Sequence, residues 1–341
     1  MEVINKSKIL IIGVTSYIGR YLVEASLSMG HPTFALVRET TMANHPDKAR
    51  YIQDLKESGV TILFGDLYDH ESLVKAIKQV DVVFSLMGHH PDKQLGDQIK
   101  IVSAIREAGN IKRYFPSEYG FDVDKVQILE PAKSTLAIKA RVREEIRMAG
   151  IPFTFISSNL CSTYFLSRLG QVESMGIPDE KVIIVGNGNT KGIYEHGKYM
   201  CLCFSFCVLC FSIPYFLAVI INSEKDIAIY AIRAVDDPRT LNKVLYVRPA
   251  SNHCTLNEIV SFWEKKTGKS LDRIYVSEEE VLKKIQSSLE PLPFFYAIAH
   301  ACFIKGETCN FKIDESVGVE ATELYPDHKY TSVYEILNQF I

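Results

Sequence analysis

Residues 8–13 read KILIIG, and the last of them opens the stretch Gly13-Val14-Thr15-Ser16-Tyr17-Ile18-Gly19-Arg20. A short apolar strand that runs into a glycine-bearing turn and then a helix, at the first connection of the chain, narrows the architecture further than any other stretch. Such a turn brings backbone N–H groups and a helix N-terminus toward an anion, and it is at home in a sheet whose parallel strands alternate with helices. The chain continues in that rhythm. Apolar, β-branched runs at 32–37 (PTFALV), 60–66 (VTILFGD), 81–87 (DVVFSLM), 111–117 (IKRYFPS) and 151–158 (IPFTFISS) predict strands. Between them the spacing predicts helices over Tyr17 to Met29, Lys48 to Glu57, Glu71 to Ile77, Gln98 to Ala108 and Pro131 to Met148, the last closed by Gly150.

The expected fold is therefore α/β: a Rossmann-like doubly wound parallel sheet over 1–158, followed over 159–341 by a smaller α+β substrate lobe. The second half carries a turn signal at Gly186 to Asn189, expected to close a hairpin. Capping boxes at Thr255 with Glu258 and Ser277 with Glu280 start two further helices. Thirty-eight Lys plus Arg against forty-one Asp plus Glu leave a net charge of −3, which excludes a nucleic-acid binder driven by bulk charge. The opening MEVINKSKILIIGV passes from polar residues into a short strand with no small-residue cleavage site, so it is not expected to be a secretory signal. Eight cysteines in a chain of this length do not make a disulfide scaffold, and the chain reads as a cytoplasmic enzyme.

From Tyr199 to Ser223 no residue is charged. The length would suit a membrane span. The run interrupts a soluble pattern and contains Pro214, and a span there would split one domain across a bilayer, so a membrane partner is not expected. Cys201, Cys203, Cys207 and Cys210 suggest a metal site by spacing alone, but no His or acid accompanies them inside the run. The reading kept is a buried or self-associating apolar insert at about 195–221. Gly197-Lys198-Tyr199 permits the codons GGT AAG TAY, with the look of a splice donor, and Ala218-Val219 permits GCA GTN, with the look of an in-phase acceptor. Residues 197–219 therefore carry two readings, a genuine apolar insert or translated intron.

At the first turn Ser16 occupies the middle position of a GxxGxxG pattern. Its side chain could crowd a pyrophosphate or donate a hydrogen bond to it. Gly13, Thr15, Ser16, Tyr17, Ile18 and Gly19 are the expected cradle. After the second strand, where an acid would hold the ribose hydroxyls of NAD, stands Arg38, which suits a 2′-phosphate. Lys48 lies close enough to add charge, and the cofactor expected is NADPH.

Placed at 100° per residue, Ala132, Leu136, Val142 and Ile146 share one arc of their helix, with Lys139 near its centre and Arg143 at its edge. A lysine there cannot easily snorkel to water, and desolvation would lower its pKa into the range useful for general acid or base work. A purely structural pairing with Glu118 is the alternative. The Tyr-x-x-x-Lys spacing occurs at Tyr194 with Lys198 and at Tyr325 with Lys329. The first follows a strand-turn pattern and the second contains Pro326, so neither is expected to project from one helix face. His89 and His90 read as a solvated loop pair, and no metal is expected.

VTSYIGR at 14–20, ALVR at 35–38, KRYFPSEYG at 112–120, EPAKS at 130–134, AVDDPRTLNK at 234–243, WEKKTGKSL at 263–271 and ELYPDHKYT at 323–331 resemble the isoflavone reductase-like plant reductases. These are NmrA-like atypical short-chain dehydrogenases. They include phenylcoumaran benzylic ether reductase, pinoresinol-lariciresinol reductase and eugenol synthase. The resemblance covers nearly the whole chain outside the apolar run. It implies that Gly13, Gly19 and Arg38 hold NADPH, that Lys139 is the catalytic lysine, and that hydride passes from nicotinamide C4 to an electron-poor carbon of a phenylpropanoid or isoflavonoid. In an ether reductase Lys139 would help remove a phenolic proton, opening the ring ether to a quinone methide; with an isoflavone the acceptor would be a conjugated enone. His300, in AIAHACFIKG, matches a substrate-side histidine, and Asn159 lies in a segment that forms the pocket floor. The chain departs from the family at Val14 and Ser16, where GGTGYIG is usual, at 158–165, where SNLCSTYF replaces SNCFAGYF, and in the apolar run. The partner implied is a small phenolic substrate, and a homodimer stays open. A non-catalytic NADP(H)-binding regulator or an inactive paralogue is the alternative function.

Overall fold

The computed structural model describes residues 6–88, 92–174, 176–189, 200–204, 207–211, 219–308 and 310–341, with the side chains of 92–93 and 200–211 excepted. Strands β1 (Ile9–Ile12), β2 (Thr33–Val37), β3 (Thr61–Phe64), β4 (Val82–Ser85) and β5 (Arg113–Phe115) form a parallel sheet in the order β3-β2-β1-β4-β5. All four residues of β1 are buried, because helices cover both faces of a parallel sheet. Ile9 and Ile11 enter the core beneath α1 (Tyr17–Ser28), while Leu10 and Ile12 enter the core on the opposite face. The doubly wound expectation holds.

Helices α2 (Glu39–Asn44), α3 (Pro46–Glu57), α4 (His70–Ile77), α5 (Asp92–Gly96), α6 (Gln98–Ala108) and α7 (Ala132–Met148) connect these strands and lead out of β5. Helix α3 starts at Pro46, before the expected Lys48. Proline's missing N–H costs nothing at a first helical position. Helix α7 buries Ala132, Thr135, Lys139, Val142, Arg143 and Ile146, so Thr135 takes the place on the buried stripe that periodicity gave to Leu136.

The chain goes on through β6 (Thr154–Ser157), β7 (Leu160–Cys161), α8 (Ser162–Leu166), β8 (Lys181–Val185), β9 (Met200–Phe204), β10 (Cys207–Phe211), β11 (Val219–Asn222), α9 (Glu224–Arg233), β12 (Lys243–Tyr246), β13 (His253–Cys254), α10 (Leu256–Thr267), β14 (Asp272–Val276), α11 (Glu278–Ser287), α12 (Leu292–Ala299) and β15 (Gly318–Glu320). Strand β6 meets β5 through a parallel bridge, Tyr114 to Phe153, and pairs with β12, which pairs with β15. Residues beyond 158 therefore extend the sheet as well as building the second lobe. Helix α9 packs on α1 through Ile227, Tyr230 and Ala231. The lobe has its own core around Phe165, Ile184, Ile221, Trp263 and Phe303.

Both expected capping boxes form, at Thr255 with Glu258 and at Ser277 with Glu280. The turn at Gly186 follows β8, which pairs in parallel with β14; the strand that would complete the expected hairpin after Asn189 lies outside the described residues. Within the uncharged run, the backbones of β9 and β10 pair antiparallel, with Cys201 opposite Cys210. Strand β11 is wholly buried between β7 and β13, so the expected end of the insert at 221 falls inside a core strand. Among the described residues no helix is long and apolar enough to cross a membrane, and no group of His, Cys, Asp and Glu could hold a metal ion. His89, His90, Tyr194, Lys198, the splice-like stretch at 197–199 and the thiols of the run lie outside what is described.

Candidate active site

The order of strands reverses between β1 and β4, and a crevice opens there beyond their carboxyl ends. A cavity of about 350 Å³ occupies it, lined among others by Gly13, Thr15 and Ser16 of the first turn, by Arg38 after β2 and by Lys48 of α3. Gly13 has φ +98°, and a Cβ there would lie 2.5 Å from the Leu86 carbonyl oxygen; one on Gly19 would lie 2.4 Å from the Gly13 oxygen. Both glycines let the turn and α1 close onto the sheet. Arg38 and Lys48 are exposed, and neither forms an ion pair among the described residues. Asp66 also lines the cavity, and one of its carboxylate oxygens accepts the Tyr68 N–H at 2.9 Å. Two unpaired cations around a crevice that ends at a helix N-terminus suit a phosphorylated dinucleotide.

Ser16 is the N-cap of α1. Its Oγ accepts the Gly19 N–H at 3.2 Å, which leaves the hydroxyl hydrogen for a phosphate oxygen. Ser16→Ala is expected to cost about 1 kcal/mol of stability, whereas Ser16→Gly costs only a few tenths. Thermal melts alongside NADPH titrations separate the two roles: weaker NADPH binding in both variants assigns the hydroxyl to the phosphate. Tyr17, Ile18 and Gly19 do not line the cavity. The Ile18 side chain is in the core, and the Tyr17 hydroxyl donates to Glu224. Burial and that carboxylate hold the Tyr17 phenol well above its ordinary pKa.

Lys139 is buried, 3% exposed, and its Nζ donates to the backbone oxygen of Glu118 at 2.6 Å. The Glu118 carboxylate is engaged elsewhere: Arg143, itself fully buried, grips it with Nε and Nη2, both at 3.0 Å. The structural pairing considered for Lys139 thus takes a different form, with Arg143 on the carboxylate and Lys139 on the carbonyl. Desolvation lowers the pKa of Lys139; the nearby Glu118 charge opposes this and Arg143 adds to it.

The turn that carries Glu118 is tied to the cavity through Met87. The Met87 N–H donates to Ser117 Oγ at 3.0 Å, and that hydroxyl lies 3.1 Å from the Met87 carbonyl. Asn159, at φ +57°, donates its N–H to the Gly120 carbonyl at 3.0 Å, and a Cβ on Gly120 would lie 3.9 Å from the Lys139 ammonium. Both amide atoms of the Asn159 side chain are buried without a partner among the described residues, as are the Ser158 and Tyr119 hydroxyls. Unsatisfied polar atoms gathered beside a desolvated lysine are the mark of a binding site. His300, by contrast, opens the π-helical turn His300–Lys305 and pairs through Nε2 with Glu278 Oε1 at 3.0 Å. It does not line the cavity. Tyr325 follows a helix that ends at Leu324 and its hydroxyl donates to Asp237 at 3.0 Å, as expected for a residue outside any Tyr-x-x-x-Lys pair.

Sequence reasoning missed two groups. Arg143 stood only at the edge of the apolar arc, although its four-residue spacing from Lys139 puts both on one helix face. Glu224, 3% exposed, accepts from Tyr17, from the Ser162 hydroxyl at 2.8 Å and from the Thr163 N–H at 2.9 Å, joining α1 to the segment after Asn159. Nothing local in the sequence marks it.

The NmrA-like family model matches residues 5–337. Phenylcoumaran benzylic ether reductase TP7 of Nicotiana tabacum is 52% identical over 337 residues, 99% of this chain and 99% of that protein. A solved isoflavone reductase superposes with a TM-score of 0.85 at 42% identity, covering 98% of this chain and all of its own. AtPrR2, solved with NADP+ and (+)-pinoresinol, gives 0.84 at 34% identity over 98% of this chain and 99% of that one. The five-stranded parallel sheet, the crevice at its reversal point and these likenesses agree: the chain belongs to the NmrA-like family.

Proposed function

We propose that the protein is an NADPH-dependent reductase that delivers hydride to a phenylpropanoid-derived or isoflavonoid substrate, of the phenylcoumaran benzylic ether or isoflavone type, with Lys139 as its general acid/base. The observation that carries this reading is the pairing of a nucleotide-sized crevice, flanked by the cations Arg38 and Lys48, with a buried lysine that forms no ion pair among the described residues. Relatives named as reductases, and a neighbour solved with NADP+ and a lignan, support an enzyme over a regulator.

Gly13, Thr15 and Ser16, with the free N–H groups at the start of α1, hold the pyrophosphate, while Arg38 and Lys48 take the 2′-phosphate. NADPH, once bound, supplies the hydride. Lys139, with its pKa lowered by burial, accepts the phenolic proton of the substrate, and the low-dielectric surroundings keep water from competing for that proton. The unpartnered amide of Asn159 orients a polar group of the bound reactants. Residues 1–158 serve the nucleotide, and the lobe from 159 on, with His300, shapes the substrate side.

Fluorescence titration with NADPH and NADH tests the cofactor part. The chain is expected to prefer NADPH, and Arg38→Ala to weaken NADPH about tenfold to a hundredfold, as the loss of one charged hydrogen bond would, with NADH little changed. Equal affinity for both nucleotides would remove Arg38 from this role. Turnover of phenylcoumarans, lignans and isoflavones with NADPH then tests the substrate class.

A further inference from the structure

We propose that the buried pair of Arg143 and Glu118 positions Lys139 for proton transfer, the guanidinium gripping the carboxylate so that the backbone carbonyl of the same residue is held against the lysine Nζ. The inference rests on Lys139 being the general base. Three observations carry it. The Glu118 carbonyl is the hydrogen-bond acceptor found for Lys139, at 2.6 Å. Both carboxylate oxygens of Glu118 are bound by Arg143, so the residue can neither rotate toward Lys139 nor swing to solvent. Arg143 in turn is anchored to Asp122 at 2.5 Å and lies over the Phe155 ring, 4.6 Å from its centroid, which fixes the far end of the clamp to β6. A planar fork suits this task because a two-point grip fixes orientation as well as distance.

The charges that face Lys139 come from every element packed on it. Glu118 from the turn after β5 favours the ammonium, Arg143 from its own helix disfavours it, and the Cys161 thiol from β7 is held neutral by burial, with its pKa pushed up to about 12. Asp122 and Asp124 lie beyond Arg143 and are paired with it. The arrangement makes Glu118 both the geometric and the electrostatic setting of the lysine.

Two variants separate these roles. Glu118→Gln keeps the shape and removes the charge. Because a negative charge favours the ammonium, its loss moves the low-pH limb of kcat to lower pH by about one unit. Arg143→Lys keeps the charge and loses the fork, so kcat falls about tenfold or more while the KM for NADPH stays put. Folded Arg143→Lys with the wild-type kcat, or folded Glu118→Gln with the wild-type limb, each verified by circular dichroism, would overturn the proposal, since a merely structural pair alters yield and melting but neither of these. Lys139→Met run beside them reports on the underlying reading: retained turnover there removes Lys139 as the base, whereas its loss together with an unmoved limb in Glu118→Gln removes only the positioning role.

Discussion

Lys139→Met is expected to lower kcat by roughly two to four orders of magnitude, the usual worth of a positioned general base, while the Kd for NADPH changes by less than about twofold. The separation follows from geometry. Lys139 does not line the crevice that holds Arg38 and Lys48, so removing its charge leaves the nucleotide contacts intact. Methionine fills nearly the same volume and needs no acceptor, so stability should hold: the buried ammonium is lost, and the Glu118 carbonyl gives up one hydrogen bond. Steady-state rates with a phenylcoumaran or isoflavone, beside a fluorescence titration, read out both quantities. In the wild type kcat should rise with pH and level off below the ordinary lysine range, because burial disfavours the ammonium and populates the free amine at lower pH. Near-normal turnover in the variant would make Lys139 a structural residue.

Arg143→Met is expected to destabilise the fold by about 3–5 kcal/mol, the cost of leaving buried carboxylates without their cation. Arg143 is the largest fully buried side chain among the described residues and meets three acids: Glu118, Asp122 and, at 2.9 Å, Asp124. A chemical denaturation midpoint measured at neutral pH reads the loss. The pH dependence gives a second signature. Burial would raise the Asp124 pKa, but Arg143 and Arg147 outweigh it and hold the carboxyl below its ordinary value. A carboxyl depressed on folding stabilises the fold above its unfolded pKa and loses that contribution as pH falls through its folded pKa. The wild type should therefore weaken below about pH 4, and the variant should lose part of that slope. A variant as stable as the wild type would show that the three acids are held apart by other means.

The strands, their order of appearance and the turn at Gly13 were legible because local patterns carry them. Within KILIIG and DVVFSLM the runs ILII and VVF are wholly apolar, as strands covered on both faces require, and Gly13 and Gly19 stand where a side chain would strike the backbone. The burial of Lys139 could be read from a helical wheel, since the period of 3.6 is a property of the backbone. Arg38 reached the crevice as expected because it directly follows β2, whose end fixes its place. Partner choice was not legible. Tyr17 stands in the cradle motif yet turns to Glu224, 207 positions away, and β6 finds β12 across most of a lobe. Lys139 and Arg143 are neighbours on one face and both could claim Glu118. Only the tertiary structure decides that the fork of Arg143 takes the carboxylate, where two parallel hydrogen bonds can form, and leaves Lys139, a point charge needing one acceptor, the carbonyl.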